Sequence, residues 1–189
     1  MRRAFTLAAA VLVAAMLFEV KAQDIGSCAP ALRSYVFVLT SAAREFGVPS
    51  PLVAAVALVE SGGNVDAARY EPGFPLSGNW NAATRMGWDG DRLRTSYGLM
   101  QIMGAVAFRD LHAHDPSSAI IQPSYNLRLG SKLLSELFRR YGNWGEALAA
   151  YNGGGAAAAA LAAGRPFNAE YVSRVFDRWA ALQACMYGQ

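Results

Sequence analysis

The chain has 189 residues, of which 53% are hydrophobic and 16% charged, and its formal net charge is +3. This composition is typical of one globular domain with enough apolar material for a core, and it excludes a disordered tail. Without residues 1–22 only 14 basic and 13 acidic residues remain, so a nucleic-acid partner, which requires clustered Lys and Arg, gains no support.

The N-terminus has the pattern of a secretory signal. Arg2 and Arg3 precede an uncharged apolar run over 4–18, which ends near the small-residue sequence around Ala22. We expect a signal peptide of residues 1–22 and a single domain of residues 23–189, located in the periplasm or secreted. A permanent anchor is the alternative, although a span requires about 17–20 apolar residues. No later segment is long and apolar enough to cross a bilayer.

The chain has two cysteines, Cys28 near the start of the expected domain and Cys185 near its end. Export into an oxidising compartment favours a disulfide that joins the two termini, and two buried thiols are the alternative. The spacing is not that of a metal site, and His112 and His114 are the only histidines. We therefore expect no metal and no cofactor.

Apolar residues recur at helical spacing along most of the chain, which predicts a mainly α fold. The helix at 51–61, with Ser50 as N-cap, is apolar on every side and belongs in the middle of the fold. Segment 61–95 has no period and predicts a long surface loop with room for a small hairpin. The other helices are predicted at 29–46, from near Gly98, and at 124–141, 144–151, 156–163 and 169–184.

Glu60 ends the apolar helix and is followed by Ser61, Gly62 and Gly63. A carboxylate there faces the negative end of the helix dipole among apolar neighbours, so we predict a raised pKa. A carboxylic acid that retains its proton near neutral pH suits the cleavage of a glycosidic bond. The alternative is a helix-end Glu that points into water.

Two further segments contain candidate binding residues. In SYGLMQIM, Gln101 both donates and accepts hydrogen bonds and Met103 offers an apolar contact to a sugar ring, while a Met-rich core helix is the alternative. In LAAYNGGG, the hydroxyl of Tyr151 is placed to bond the acid or a sugar, and Asn152 precedes three glycines. An ordinary glycine cap beside a core tyrosine is the alternative there.

In this order, the segments VALVESGGN, SYGLMQIM, LAAYNGG and EYVSRVF resemble the soluble lytic transglycosylases, a bacterial family related in fold to goose-type lysozyme. They extend from Val56 to Phe176, over nearly the whole expected domain. The resemblance implies a lysozyme-like, mainly helical fold and, as substrate, the glycan strands of peptidoglycan.

The resemblance also implies a reaction and roles for individual residues. The β-1,4 bond between N-acetylmuramic acid and N-acetylglucosamine is cleaved to leave a 1,6-anhydromuramic end, with Glu60 as the acid and then the base. The substrate's own acetamide assists, so a second catalytic carboxylate is not required, and Asp66 has no role as nucleophile. The residues that match substrate-binding positions are Ser96, Gln101, Met103, Tyr151, Asn152 and Tyr171.

The chain departs from the family pattern at two places. Thirty-seven residues separate Glu60 from Gly98, more than in compact members, and they include Tyr70, Phe74, Trp80 and Trp88. These rings either extend the substrate groove or form the loop's own core. Many members have a Glu four residues before the tyrosine that matches Tyr171, where this chain has Phe167; whether Glu170 compensates is left open.

Two other functions are compatible with the same residues. One is a lysozyme-type hydrolase that uses water in place of the C6 hydroxyl, and the other is a non-catalytic glycan-binding protein. The partner is peptidoglycan in each case. The sequence does not distinguish among the processes that such cutting serves. It is compatible with an envelope-spanning machine for secretion, conjugation or flagellar assembly, with a phage, or with simple wall turnover.

Overall fold

The computed structural model describes residues 24–76, 79–112, 117–165 and 167–188. The expected signal peptide and its cleavage site lie outside them, as does His114. The predicted mainly α, lysozyme-like fold class is confirmed. The helices are α1 (Ile25–Cys28), α2 (Val36–Phe46), α3 (Ser50–Ser61), α4 (Asn81–Arg85), α5 (Gly90–Leu93), α6 (Gly104–Arg109), α7 (Pro123–Tyr141), α8 (Trp144–Ala162) and α9 (Ala169–Tyr187), and the strands are β1 (Ala68–Tyr70), β2 (Thr95–Tyr97) and β3 (Ile102–Met103).

Helix α3 lies in the centre of the molecule, as its apolar sequence predicts. Residues 52–57 have no exposed surface, and α3 packs against α2, α7 and α9. Gly62 ends the helix in a left-handed conformation, at φ 64°, and its N–H donates to the Leu58 carbonyl at 3.0 Å. This cap fixes Glu60 in the last turn of a helix that the rest of the fold surrounds.

Most helix boundaries agree with prediction to within a few residues. The predicted helix 29–46 is divided into a 3₁₀ helix at Pro30–Tyr35 and α2, and the Leu32 N–H to Ala29 carbonyl bond is of the tighter i to i−3 type. Ser50 is the first residue of α3 rather than its cap, because the chain enters the helix from Pro49 without a side-chain cap. The predicted pair of short helices near 150 is one element, α8, broken at Gly154, where φ is 70° and ψ is −170°.

Segment 61–95 is not a plain loop. Strands β1 and β2 pair antiparallel with Arg69 opposite Ser96, and β3 extends the sheet with Met103 opposite Ser96. Helices α4 and α5 lie between β1 and β2. The segment thus contributes an antiparallel strand pair rather than a small hairpin, because α4 and α5 separate β1 from β2; the short connection is the one between β2 and β3, outside 61–95.

The predicted helix from near Gly98 is wrong, because the chain there forms a turn between β2 and β3 and the helix starts at Gly104. The backbone is left-handed at Gly98 (φ 71°) and at Gln101 (φ 44°), which no α-helix permits. The fully buried Asn126 of α7 holds this turn. Its side-chain amide donates to the Tyr97 carbonyl at 2.8 Å, and its oxygen accepts from the Met100 N–H at 2.8 Å.

The inserted tryptophans pack with the main hydrophobic core rather than with a core of the loop's own: Trp88 is one of its buried members and Trp80 packs against it. Trp88 is 1% exposed, and Trp80 and Trp88 each lie with ring centroids 6.4 Å from Phe108 on α6. Tyr70 is half exposed and donates to Asp91 at 3.3 Å. Of the four aromatic residues considered above, Phe74 lines the groove described below.

Cys28 and Cys185 form the predicted disulfide, with their Cα atoms 5.9 Å apart. The bond joins α1 to α9 across 157 positions of the chain. A structural disulfide fits a protein that acts outside the cytoplasm.

No single helix in the described ranges is long and apolar enough to cross a membrane. Taken together, the helical segments Pro30–Phe46 and Ser50–Ser61 have the length and apolar composition of a membrane span, but the chain bends by 120° between them. Core helices of globular proteins show the same features, and α3 has this position here.

Candidate active site

Glu60 is one of the residues that line a groove in the surface of the protein. The groove has a volume of about 860 Å³, and both the inserted sheet and the C-terminal helices contribute to it. Burial raises the pKa of Glu60, and this effect outweighs the hydrogen bond and positive charges that favour the carboxylate. A proton held on a carboxyl group in a substrate-sized groove is available to a leaving group.

Tyr171 contacts the acid directly. Its hydroxyl donates to Oε1 of Glu60 at 2.6 Å, and the residue is only 5% exposed. This contact forms because α9 packs along α3, which brings together two residues 111 positions apart. The hydrogen bond fixes the orientation of the carboxyl group and partly offsets the rise in the pKa of Glu60.

Tyr151 is also near the acid but makes a different hydrogen bond. Its hydroxyl donates to the Met100 carbonyl at 2.7 Å, so in this structure it bonds the turn between β2 and β3 and not Glu60. Burial raises the pKa of Tyr151 well above its ordinary value, and the charge of Glu60 adds to this effect. Tyr151 is thus a neutral group that connects α8 to the groove wall.

The turn between β2 and β3 brings three predicted residues to the groove wall: Ser96, Gln101 and Met103. Ser96 is 3% exposed. The side-chain nitrogen of Gln101 donates to the carbonyls of Ala67 and Gly98, both at 3.0 Å. Gln101 therefore braces the turn that presents it.

Asn152 lies exposed on α8 and lines the same groove, with the glycines that follow it. The structure thus brings six of the predicted site residues to one groove, and Tyr171 adjoins it through Glu60. The two positions of the second departure from the family pattern are not among the groove-lining residues: Phe167 is 55% exposed and Glu170 lies in the first turn of α9.

The sequence analysis missed a charged pair in the same groove. Arg69 and Glu71 line it and form an ion pair at 2.8 Å, whereas Asp66, the acidic neighbour considered from sequence, is not among the lining residues. The sequence did contain a signal for this pair: Arg69 and Glu71 are two residues apart, and residues at that spacing on a strand point to one face. Other charged side chains of the groove are Arg109, Asp110, Glu136 and Arg140.

The arrangement has the parts of an acid–base site. In the described ranges no group of three His, Cys, Asp or Glu side chains is placed to hold a metal ion. The chemical groups that the groove offers include a carboxyl group whose pKa is raised, hydroxyls, amides and apolar side chains. These groups suit a polar polymer with cleavable acetal bonds.

Comparison with known proteins agrees with this geometry. No curated protein matches the chain significantly. The family model described as the Transglycosylase SLT domain matches residues 37–171, more than half of the chain, and this range contains Glu60, the turn between β2 and β3, Tyr151 and Tyr171. The chain therefore belongs to the SLT transglycosylase family, whose domain supports a transglycosylase activity on peptidoglycan.

Proposed function

We propose that this protein is a peptidoglycan lytic transglycosylase that cleaves the β-1,4 bond between N-acetylmuramic acid and N-acetylglucosamine and forms 1,6-anhydromuramic ends. The observation that supports it best is the carboxyl group of Glu60, which lines a groove of about 860 Å³, has a raised pKa and accepts a hydrogen bond from Tyr171. Membership of the SLT family supplies the substrate class.

Glu60 acts first as the general acid. Its proton passes to the glycosidic oxygen as the bond from C1 of the muramic residue to that oxygen breaks, and the glucosamine end leaves as an alcohol. Positive charge develops at C1, and the substrate's acetamide stabilises it. Glu60 is now a carboxylate, the form that the Tyr171 hydrogen bond favours.

Glu60 acts next as the base. The muramic C6 hydroxyl attacks C1, its proton returns to Glu60, and the anhydro ring closes without consumption of water. One carboxyl group therefore completes the cycle, because the proton lost in the first step is regained in the second.

The other groove residues hold the sugar in reacting geometry. Ser96, Gln101 and Met103, from the sheet and its turn, line the groove together with Asn152 of α8. Tyr151 supports the turn between β2 and β3 through the Met100 carbonyl, and Tyr171 orients the acid.

Product chemistry tests this proposal against its hydrolytic alternative. Purified peptidoglycan is digested and the released muropeptides are analysed by mass spectrometry. We expect anhydromuramic ends. Reducing ends would contradict the transglycosylase reaction and identify a lysozyme-type hydrolase.

Substitution Glu60→Gln tests the catalytic role against a glycan-binding function. The amide has the same shape but no proton to donate, so we expect the cleavage rate to fall at least about 100-fold. Glu45→Gln is the matched control, because Glu45 is an exposed surface residue paired with Arg128. Equal cleavage by both variants would exclude Glu60 as the acid.

Export is part of the proposal. The N-terminal signal predicted from sequence and the disulfide between Cys28 and Cys185 both fit the envelope, where the substrate lies. Such an enzyme serves to open the wall for an envelope-spanning machine or a phage, or takes part in general wall turnover.

A further inference from the structure

Two acidic side chains face the same groove from different elements. Glu60 ends α3, and Glu71 directly follows β1. The backbone N–H of Glu71 donates to the Arg94 carbonyl at 2.8 Å, which continues the ladder between β1 and β2 by one residue. The sheet, and not a mobile loop, therefore fixes the position of Glu71.

The side chain of Glu71 is held on one oxygen. Its Oε1 accepts from Nε and Nη2 of Arg69 at 3.2 and 2.8 Å, and the Ser96 hydroxyl donates to the same atom at 3.4 Å. Arg69 and Glu71 share one strand face, and Ser96 lies directly opposite Arg69 in the register. The three side chains form a single cluster on the groove side of the sheet.

A contribution to folding stability does not explain why these three side chains form a cluster. The side chains of Arg69 and Glu71 are 63% and 35% exposed, and ion pairs so accessible contribute little to folding. Their charges act instead on Glu60, in opposite directions: Arg69 lowers the pKa of Glu60 and Glu71 raises it. The pair thus lies within electrostatic reach of the acid.

We propose that Glu71 is a positioning residue for the glycan-cleaving reaction, which holds the Ser96 hydroxyl at the groove wall and places a fixed negative charge beside Glu60. Because Ser96 donates its proton to Glu71, the lone pairs of its hydroxyl are left to accept from a sugar hydroxyl. The negative charge opposes early loss of the Glu60 proton, and it favours the positive charge that develops on the sugar. This inference rests on the function proposed above.

Kinetics of Glu71→Gln, with Glu45→Gln as the matched control, test the inference. We expect kcat to fall roughly tenfold with KM nearly unchanged, because the sugar still binds but reacts in poorer geometry. The high-pH limb of the kcat profile should move to lower pH, since loss of a negative charge makes Glu60 more acidic. The other groups that act on Glu60 stay in place: Tyr171, Tyr151, Arg174 and Arg69.

The substitution Glu71→Asp separates the effect of the negative charge from the effect of side-chain length. It keeps the carboxylate but shortens the side chain, so kcat should fall while the high-pH limb stays closer to that of the wild-type protein. A Glu71→Gln variant whose kcat and pH profile equal those of Glu45→Gln would overturn the inference.

A titration that needs no activity separates this inference from the proposed function. The carboxyl carbon of Glu60 is followed by NMR in glutamate-labelled protein and is assigned by its loss in Glu60→Gln. It should titrate at lower pH in Glu71→Gln and at higher pH in Arg69→Gln, which also serves if Glu71→Gln does not fold. Unchanged titration overturns the role of Glu71, whereas a wild-type protein that cleaves no glycan contradicts the proposed function alone.

Discussion

Glu60 is held between two opposing influences. Burial favours its neutral acid, and the Tyr171 hydroxyl at 2.6 Å favours its carboxylate, with burial the larger effect. In the cycle proposed above the acid loses and regains a proton, and burial favours the protonated form whereas the hydrogen bond favours the carboxylate. The side chain that makes this contact comes from α9, far along the chain.

A carboxyl group with a raised pKa makes folding stability depend on pH. The folded state binds the Glu60 proton more tightly than the unfolded chain does, so the stability from this group is full below the ordinary Glu pKa and is lost as pH rises through the folded-state pKa. We therefore expect Glu60→Gln to raise the melting temperature near pH 7 more than near pH 4. Calorimetry at the two pH values checks this, and an equal change at both would contradict the raised pKa.

At the scale of elements, the turn between β2 and β3 decides the shape of the groove wall. Gly98 has φ 71°, and a Cβ there would meet the amide nitrogen of Asn126 at 2.7 Å. Asn126 is fully buried and holds both sides of the turn through Tyr97 and Met100. The positions of Ser96 and Gln101 therefore depend on the side-chain amide of Asn126, a residue of α7.

Gly98→Ala should disturb this turn far more than an ordinary glycine substitution. Gly47 is the matched control, because it has a similar φ of 68° but nothing within 4 Å of an added Cβ. We expect Gly47→Ala to cost about 1–2 kcal/mol from its backbone conformation alone, and Gly98→Ala to cost more and to reduce cleavage. Urea unfolding measures both, and equal losses would show that Asn126 does not restrict the turn.

At the scale of the whole molecule, the two ends of the described domain are joined covalently. The disulfide links α1 to α9, and α9 packs on α3 and supplies Tyr171 to Glu60. The same helix therefore closes the fold and completes the site. Opening the disulfide should affect stability first, because neither cysteine is among the residues that line the groove.

The double variant Cys28→Ser with Cys185→Ser tests this. Closing a loop of 157 positions contributes roughly 5 kcal/mol in the chain-entropy model, so we expect a clearly lower melting temperature with cleavage retained at low temperature. A reducing agent should lower the wild-type value toward that of the variant and leave the variant unchanged. If the variant melts with the oxidised wild-type protein, the bond does not stabilise the fold.

The sequence alone determined those features that depend on local pattern. Helical spacing predicted the helices, the all-apolar segment ending at Glu60 predicted a central helix and an acid with a raised pKa, and the four ordered segments predicted the family. Such features are local because periodicity, caps and motifs are written in neighbouring residues.

Only the tertiary structure decided which side chains meet. In the structure Tyr171 donates the hydrogen bond to Glu60, and Tyr151 donates to the Met100 carbonyl instead. A β-turn held by Asn126 replaces the helix expected at Gly98. Arg69 and Glu71 also line the groove. The contacts of Tyr171, Tyr151 and Asn126 join residues from different elements, and their geometry follows from helix packing and strand register. Neither is specified by the residues adjacent in the chain.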